Sequence, residues 1–592
     1  MNKENIDITN EERAKLVISE LIKSSVRHFL IAPGSRSTPL TLAVAQNPLA
    51  ESVVHFDERG LAFHGLGIAK STGLPVCLIC TSGTALMNFY PAVVEASKAM
   101  IPLIIISADR PPELRDTGAN QAIDQIKPFS NFCRWEFDLA FQDLLISNDM
   151  IATTINQAVY RSISNTPGPV LLNCMIREPF TSKTNPKTFN LQDSPLPKTK
   201  YYTNTKSTSN EEYSYLASEL SQYEKGLIIV GNSPLNLQEE SFFSFAMKLQ
   251  WPIFADPLSN LRHIGRDSTM ITYYNYILEN TPSNEKMIPE VVVHLGGHIV
   301  SKKLIEWIES IKLKKYVHIA NFPHRHDPLH IVTDRIEMDP NHFCNQINLV
   351  LKGNPPNLWL SRWKEYSLEV EEILTETFQK NTVLSEQFAV QSIEERVLKE
   401  SSFFFANSLS IRYADSLFFP REKLGNLYGN RGASGIDGLI ATSIGIARGT
   451  KKRVLCILGD LAFLHDINSL ALLEKYSLPI TFLVLNNSGG GIFHYLSISE
   501  KKDHFEKFFE TKHSLSIKCL AEAFNIDYHC PKEQIEYLDI LEEFTKVQTP
   551  NIIEVKTSGK ENFQFQQQIE QNLRKKLSKN KKEKGIYAFF GK

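Results

Sequence analysis

Val454-Leu-Cys-Ile-Leu-Gly-Asp460 and Thr481-Phe-Leu-Val-Leu-Asn-Asn487-Ser-Gly-Gly-Gly491 each join a short apolar run to polar, glycine-rich residues. The runs 454–458 and 481–485 are short and followed by turn formers, which predicts two buried strands. Asp460 and Asn487 then stand at the carboxyl ends of those strands, where a parallel sheet binds its ligands. One carboxylate and one amide oxygen at such ends form an oxygen-only half-site. Mg2+ takes sites of this kind and completes its shell with water and phosphate. Gly489, Gly490 and Gly491 allow backbone to approach a phosphate closely. Taken alone, the same pattern also suits a turn-rich structural loop.

Outward from this stretch, apolar runs alternate with helical patterns along the whole chain. The first segment has a helical pattern over 11–23, with Ala14, Leu16, Val17 and Leu21 on one face and Thr9 or Asn10 as cap. Its strands are expected at 28–32, 53–56, 75–80, 103–107 and 169–173. A second set falls at 227–230, 253–255, 291–295 and 316–319, and a third adds 403–406 and 552–555. Strands separated by helices imply parallel sheets joined by crossovers. The expected fold class is therefore α/β, with three doubly wound, mostly parallel-sheet domains over 1–185, 211–357 and 358–592. A stretch rich in Ser, Thr, Asn, Pro and Lys supplies the linker at 186–210. The third domain opens on a helical segment near 358–379. No short-period repeat is visible, so the three units point to a repeated fold rather than a repeated sequence.

Composition sets outer bounds. The chain has 592 residues, 42% apolar and 22% charged, with a net charge of −2, which fits a globular protein of several domains. No global field attracts nucleic acid or an anionic membrane. The N-terminus Met1-Asn-Lys-Glu-Asn-Ile-Asp7 has no secretory pattern, and runs such as Leu103-Ile-Ile-Ile106 are far below the ~20 residues of a membrane span. Eight cysteines are scattered, with only Cys77 and Cys80 close together, which predicts reduced core thiols and a cytoplasmic location. The basic stretch from Arg574 to Lys584 reads as a solvated helix end.

Gly459-Asp460 with Asn486-Asn487 resembles the diphosphate and metal motif of thiamine-diphosphate enzymes. That family also carries a glutamate just after the second strand of a separate domain, a placement that Val54-His-Phe-Asp-Glu58-Arg-Gly60 fits. Thr81-Ser-Gly-Thr84 is similar to the family's Thr-Ser-Gly signature. Five longer stretches resemble its carboligases that join 2-oxoglutarate to isochorismate in menaquinone biosynthesis. They are Pro33-Gly-Ser-Arg-Ser-Thr38, His55-Phe-Asp-Glu-Arg-Gly60, Ala108-Asp-Arg-Pro-Pro-Glu-Leu114, Gly118-Ala-Asn-Gln-Ala122 and Asn430-Arg-Gly-Ala-Ser-Gly-Ile-Asp-Gly438. The order of elements agrees with pyrimidine-binding, middle and diphosphate-binding domains over nearly the whole chain.

The resemblance implies a transferase that uses thiamine diphosphate and Mg2+, or Mn2+, to decarboxylate 2-oxoglutarate. The remaining succinyl-semialdehyde unit would add to isochorismate in a 1,4 sense. Glu58 would hydrogen-bond N1′ of the cofactor pyrimidine, with Gln121, Ser408 and Arg412 completing the catalytic set. Asp460, Asn487 and Gly489 would hold the metal. Pro33, Thr81, Asn88, Arg431, Gly432, Leu461 and Gly491 would contact the cofactor. Ile436 would support its bend, and Ile492 and Phe493 would line its other side.

Both substrates carry two carboxylates, which guanidinium groups bind in a bidentate fork. By the resemblance, Ser35, Arg36, Arg110, Asn120 and Gln121 face isochorismate, and Ser408, Arg412 and Arg431 take the distal carboxylate of 2-oxoglutarate. Lys302 and Lys303 stand where the family has a Lys-Arg pair, and a lysine supplies charge without the planar fork. His55 and His494 read as packing residues. Glu58 and Asp460 lie on different domains, so the family's sharing of one cofactor between subunits implies a homodimer or a dimer of dimers. Two other readings stay open: another thiamine-diphosphate-dependent 2-oxoacid decarboxylase or carboligase, and an inactive subunit on the same fold. The middle domain has no G-x-G-x-x-G dinucleotide fingerprint, and Gly231-Asn-Ser-Pro234 is a poor substitute.

Overall fold

The computed structural model describes residues 3–141, 146–181, 195–203, 206–232, 238–264, 267–280 and 285–590. Much of the expected linker (182–194 and 204–205), residues 233–234 of the Gly231 loop and the side chains of the basic tail from 579 onward lie outside the described residues.

Three parallel sheets account for the strands. The first contains β1 (His28–Ile31), β2 (Glu51–Val54), β3 (Val76–Cys80), β4 (Leu103–Asp109), β5 (Trp135–Leu139) and β6 (Pro169–Met175). The second contains β7 (Gly226–Val230), β8 (Ile253–Ala255), β9 (Val291–Leu295), β10 (Lys315–Ala320) and β11 (Asp334–Glu337). The third contains β12 (Ser402–Phe405), β13 (Leu427–Tyr428), β14 (Val454–Gly459), β15 (Ile480–Asn486), β16 (Asp527–His529) and β17 (Asn551–Lys556). Spatial order is β2-β1-β3-β4-β6-β5 in the first sheet and β13-β12-β14-β15-β17-β16 in the third, which is the same winding twice. The middle sheet runs β11-β10-β9-β7-β8. Interior strands such as β3, β4 and β6 are buried along their whole length, as continuous Val/Ile/Leu runs require when helices cover both faces.

By internal contacts the chain forms two compact units. One comprises Met1–Asn204, Asn430–Val454 and Ala462–Pro479; the other comprises Thr205–Gly429, Leu455–Leu461 and Ile480–Lys592. Parts of the expected third domain therefore fold with the first.

In the first unit, the helix Glu58–Thr72 begins on an Asp57 cap, whose carboxylate accepts the Gly60 N–H at 3.2 Å. It lies against the helix Leu439–Thr450 with the two backbones in contact. A Cβ added at Gly67 would fall 2.1 Å from the Thr442 carbonyl oxygen, and one at Gly445 2.1 Å from that of His64. Glycine at both positions is what lets the helix that carries Glu58 sit this close to its neighbour.

In the second unit, one hydrophobic core runs from Tyr213 to Leu577 and covers both the middle and third sheets. The helix Leu358–Lys380, expected to open the third domain, packs Trp359 and Trp363 on the middle sheet. The Trp359 indole N–H donates to the Gly226 carbonyl at 2.7 Å, and the Trp363 ring meets Phe254 edge-on at 5.1 Å. A boundary at 357 thus separates this helix from the sheet on which its tryptophans pack, while its far end meets the helix Gly559–Phe590 through Phe378 and Phe565, ring centroids 5.6 Å apart. Arg262, 1% exposed, donates to the carbonyls of Ala255, Ala414 and Asp415. It thereby ties the end of β8 to the helix Leu409–Leu417.

Candidate active site

Both six-stranded sheets reverse their winding between the first strand and the third, and such a crevice at the carboxyl ends is where doubly wound folds bind ligands. The predicted residues fall there. After β1 come Pro33, Ser35 and Arg36; after β3, Thr81; after β2, Glu58; after β4, Arg110. In the third sheet the corresponding positions follow β12 (Ser408, Arg412), β14 (Asp460), β13 (Arg431) and β15 (Asn487).

In the first unit, Arg36 and Arg110 are both buried, at 6% and 8% exposure. Arg36 donates to the Ile176 carbonyl, lies 4.8 Å over the Phe180 ring and stands 3.7 Å from the Glu178 carboxylate. Arg110 donates to the Ser82 hydroxyl. Gln121 reaches the same residue, donating its amide to the Ser82 carbonyl at 2.8 Å from a left-handed backbone (φ 56°). Burial pushes both guanidinium pKa values down, and for Arg36 the charge of Arg110 adds to it. Two neighbouring buried cations with Glu178 as the one carboxylate paired to Arg36 leave donor capacity for an anion. Asn120 and Ser35 are exposed beside these loops.

Glu58 is half-buried, and its Oε2 accepts from the Asn88 amide at 3.3 Å. Its neighbour Arg59 turns away and donates to the His465 carbonyl at 2.9 Å, so Glu58 is not consumed in a pair with it. Of the apolar residues before Glu58, Val53 is buried, but Val54 and Phe56 are 37% and 67% exposed because β2 is an edge strand. His55 is buried, its ring 4.7 Å from that of Phe56.

The loop that carries Arg431, Gly432 and Ile436 is anchored from beneath. The N–H groups of Gly432 and Ala433 donate to the two oxygens of the buried Glu95 carboxylate at 2.9 and 2.6 Å. Lys70 donates to the Asn430 side chain at 2.8 Å. Glu95 and Lys70 were not among the residues expected from the sequence. The available signal was a lone carboxylate within the small, apolar helix Tyr90–Ala99. Ile436 itself is 38% exposed.

In the second unit, Asp460 is 1% exposed. Its carboxylate accepts the Leu461 and Gly489 N–H groups, each at 2.8 Å, and lies 3.2 Å from His513 Nε2. Burial raises its pKa against the opposing pull of these donors. Asn487 donates its amide to Glu386 Oε1 at 2.8 Å, while its Oδ1 is buried with no hydrogen-bond partner. A buried acceptor left unpaired calls for an explanation, and a divalent cation supplies one. A carboxylate, an amide oxygen and the Gly489 carbonyl are the hard donors that Mg2+ prefers. Among the described residues no cluster of three His, Cys, Asp or Glu offers a competing metal site.

A Cβ at Gly491 would fall 2.6 Å from Asn487 Nδ2, so any other residue there would push the amide aside. A cavity of about 510 Å³ adjoins Asn487; Lys502 and Lys560 line it, as does Lys512, which is paired with Glu506 and Glu510 of the same wall at 3.1 and 3.3 Å. Ile492 and Phe493 lie in the following turn, Gly491–Tyr495, with the Phe493 ring 5.6 Å from Phe509. His494 bonds Glu510 at 2.9 Å.

Ser408 has a left-handed backbone (φ 72°), and its carbonyl accepts from Arg412 at 2.6 Å. Lys302 and Lys303 divide. Lys302 is exposed and pairs along its helix with Glu306 at 3.1 Å, whereas Lys303 is drawn into the fold by Glu279 and by Glu570 at 3.8 Å. Glu386 and His513, in contact with Asn487 and Asp460 respectively, were also missed, since each reaches its partner only through tertiary folding.

Three family models match in succession. They are the N-terminal TPP-binding domain of thiamine pyrophosphate enzymes at residues 12–127, the middle domain at 193–405 and the C-terminal TPP-binding domain at 413–555. The solved benzoylformate decarboxylase from Polynucleobacter necessarius has the same fold, with a TM-score of 0.72 over 92% of this chain and 98% of that one, at 13% identity. The fold and the order of domains are those of a thiamine pyrophosphate enzyme.

The curated relatives narrow the class. Proteins named 2-succinyl-5-enolpyruvyl-6-hydroxy-3-cyclohexene-1-carboxylate synthase are 37% identical in Rubrobacter xylanophilus (94% of this chain, 97% of that protein) and 34% identical in Salinibacter ruber (94% and 96%). The chain belongs to this synthase family.

Proposed function

We propose that the protein decarboxylates 2-oxoglutarate and adds the remaining succinyl-semialdehyde unit to isochorismate in a 1,4 sense, releasing CO2, as a step of menaquinone biosynthesis. The observation that carries this reading is the buried Arg36–Arg110 pair at the carboxyl end of the first sheet. Two adjacent buried guanidinium groups, only one of them ion-paired, suit a substrate with two carboxylates better than a small monocarboxylate.

Asp460, Asn487 and the Gly489 carbonyl would hold Mg2+, with Mn2+ as the alternative, and through it a diphosphate. Thiamine diphosphate supplies the nucleophilic carbon and the electron sink that loss of CO2 from a 2-oxo acid requires. Glu58 holds a proton at the pyrimidine N1′. Ser408, Arg412 and Arg431 bind the distal carboxylate of 2-oxoglutarate, and Gln121 and Ser408 stand as hydrogen-bond donors beside the reacting atoms. Ser35, Asn120 and Lys302 complete the isochorismate side, with Lys303 acting through its ion pairs.

Supplied with thiamine diphosphate, Mg2+, 2-oxoglutarate and isochorismate, the protein should release CO2 and consume isochorismate together. Turnover of pyruvate in place of 2-oxoglutarate, or cofactor binding without any turnover, would refute the assignment.

The working form in this reading is a homodimer or a dimer of dimers in the cytoplasm. In support, the first unit leaves Val54, Phe56, Ile126 and Ile436 exposed. Sedimentation at micromolar concentration should give at least the dimer mass, and a monomer would remove this part. No described helix is long and apolar enough to cross a membrane, and the eight cysteines are free thiols.

A further inference from the structure

Glu386 is 101 residues from Asn487 in sequence and in direct contact with it in space. It opens the short helix Glu386–Gln391 and is 1% exposed. Its Oε1 accepts from Asn487 Nδ2 at 2.8 Å and from the Thr557 hydroxyl at 3.2 Å. The carboxylate is itself fixed in place. Asn562 accepts the Glu386 N–H at 3.3 Å through its side-chain oxygen and the Gln387 amide at 2.8 Å through its carbonyl, and donates to the Thr557 hydroxyl at 2.9 Å.

An asparagine amide is nearly symmetric in shape, and only its hydrogen-bond partners decide which end carries the oxygen. Glu386 Oε1 already accepts from the Thr557 hydroxyl, whose own oxygen accepts from Asn562, so this carboxyl oxygen is an acceptor. Placed 2.8 Å from one terminal atom of Asn487, it admits NH2 there and excludes oxygen. The oxygen must then occupy the other end, and it is that atom, Oδ1, that is buried without a partner. The close approach of Gly491 encloses the amide and restricts its rotation.

We infer that Glu386 is a positioning residue that holds the Asn487 amide with its nitrogen toward the protein and its oxygen free for the divalent cation. The inference rests on the reading of Asp460 and Asn487 as the metal site. Outer partners of this kind typically contribute about 10–100-fold to metal affinity.

The test is Mn2+ binding in the presence of thiamine diphosphate, followed by electron paramagnetic resonance without any turnover. Glu386→Met keeps the side-chain volume but offers no acceptor, and should weaken Mn2+ binding about tenfold or more. Glu386→Gln retains one acceptor oxygen and should stay within about threefold of wild type. Should Glu386→Met fail to fold, donor and acceptor can be exchanged. N487D sets two carboxylates against each other, and adding E386Q returns a donor, so the double variant should bind Mn2+ more tightly than N487D alone.

Wild-type affinity in Glu386→Met, equal losses in the Met and Gln variants, or no gain in the double variant would each overturn the inference. Failure of the wild-type protein itself to bind Mn2+ would instead overturn the metal site on which the inference stands.

Discussion

Replacing Glu58 by glutamine is expected to lower kcat by ~10²–10⁴-fold, the usual contribution of one positioned acid or base, or about 3–5 kcal/mol of barrier. Glutamine matches glutamate in size and still offers an oxygen to the Asn88 amide, the one side-chain bond found for Glu58. The residue is half-buried at the start of its helix, and the cap there belongs to Asp57, so the helix and its contact with Leu439–Thr450 should survive. What the variant lacks is a carboxyl able to share a proton with N1′ of the pyrimidine. Cofactor affinity should therefore change little while turnover collapses, with both measured on one preparation by fluorescence titration and by CO2 release. A kcat near the wild-type value would remove Glu58 from the chemistry. A matching loss of cofactor affinity would make it a binding residue only.

The legible strands, the edge strand β2 apart, are those whose environment is uniform. β3, β4, β9, β14 and β15 are interior strands and appear in the sequence as unbroken apolar runs. The four strands not expected, β5, β11, β13 and β16, all lie at sheet edges. Trp135-Glu-Phe-Asp-Leu139 alternates apolar and charged residues over only five positions, and Asp334-Arg-Ile-Glu337 has a single apolar residue, so neither shows the unbroken apolar run of an interior strand. β13 is only two residues long.

The same distinction governs the site. Arg36, Thr81, Asp460 and Asn487 are readable because each sits where an apolar strand gives way to a polar loop, a junction written locally in the chain. Glu386, His513 and Glu95 are not, because their partners lie 101, 53 and 337 residues away and only the fold joins them. Lys303 is the converse case. Its motif position suggests a substrate contact, but Glu279 and Glu570, invisible as partners in the sequence, draw its ammonium group into the protein.

Asp460→Ala should weaken metal binding by well over ~100-fold, since even outer-shell partners account for ~10–100-fold and this carboxylate is proposed as a direct ligand. The loss has two parts that can be separated. Leu461 and Gly489 both donate backbone N–H groups to Asp460, and alanine leaves these donors without an acceptor, at about 1–3 kcal/mol each where buried. The metal-free variant should therefore melt below the metal-free wild type, an effect independent of any cation. Asp460→Asn tests the ligand role more directly. It preserves shape and one acceptor oxygen, so its metal-free melting temperature should lie between those of the other two proteins. It lacks the negative charge, and its amide nitrogen would meet either the cation or an N–H group with the wrong polarity. Mn2+ affinity should stay low and the diphosphate of the cofactor should be lost with it. An asparagine variant that bound Mn2+ as tightly as the wild type would show that this buried carboxylate supports the loop and leaves the cation to other donors.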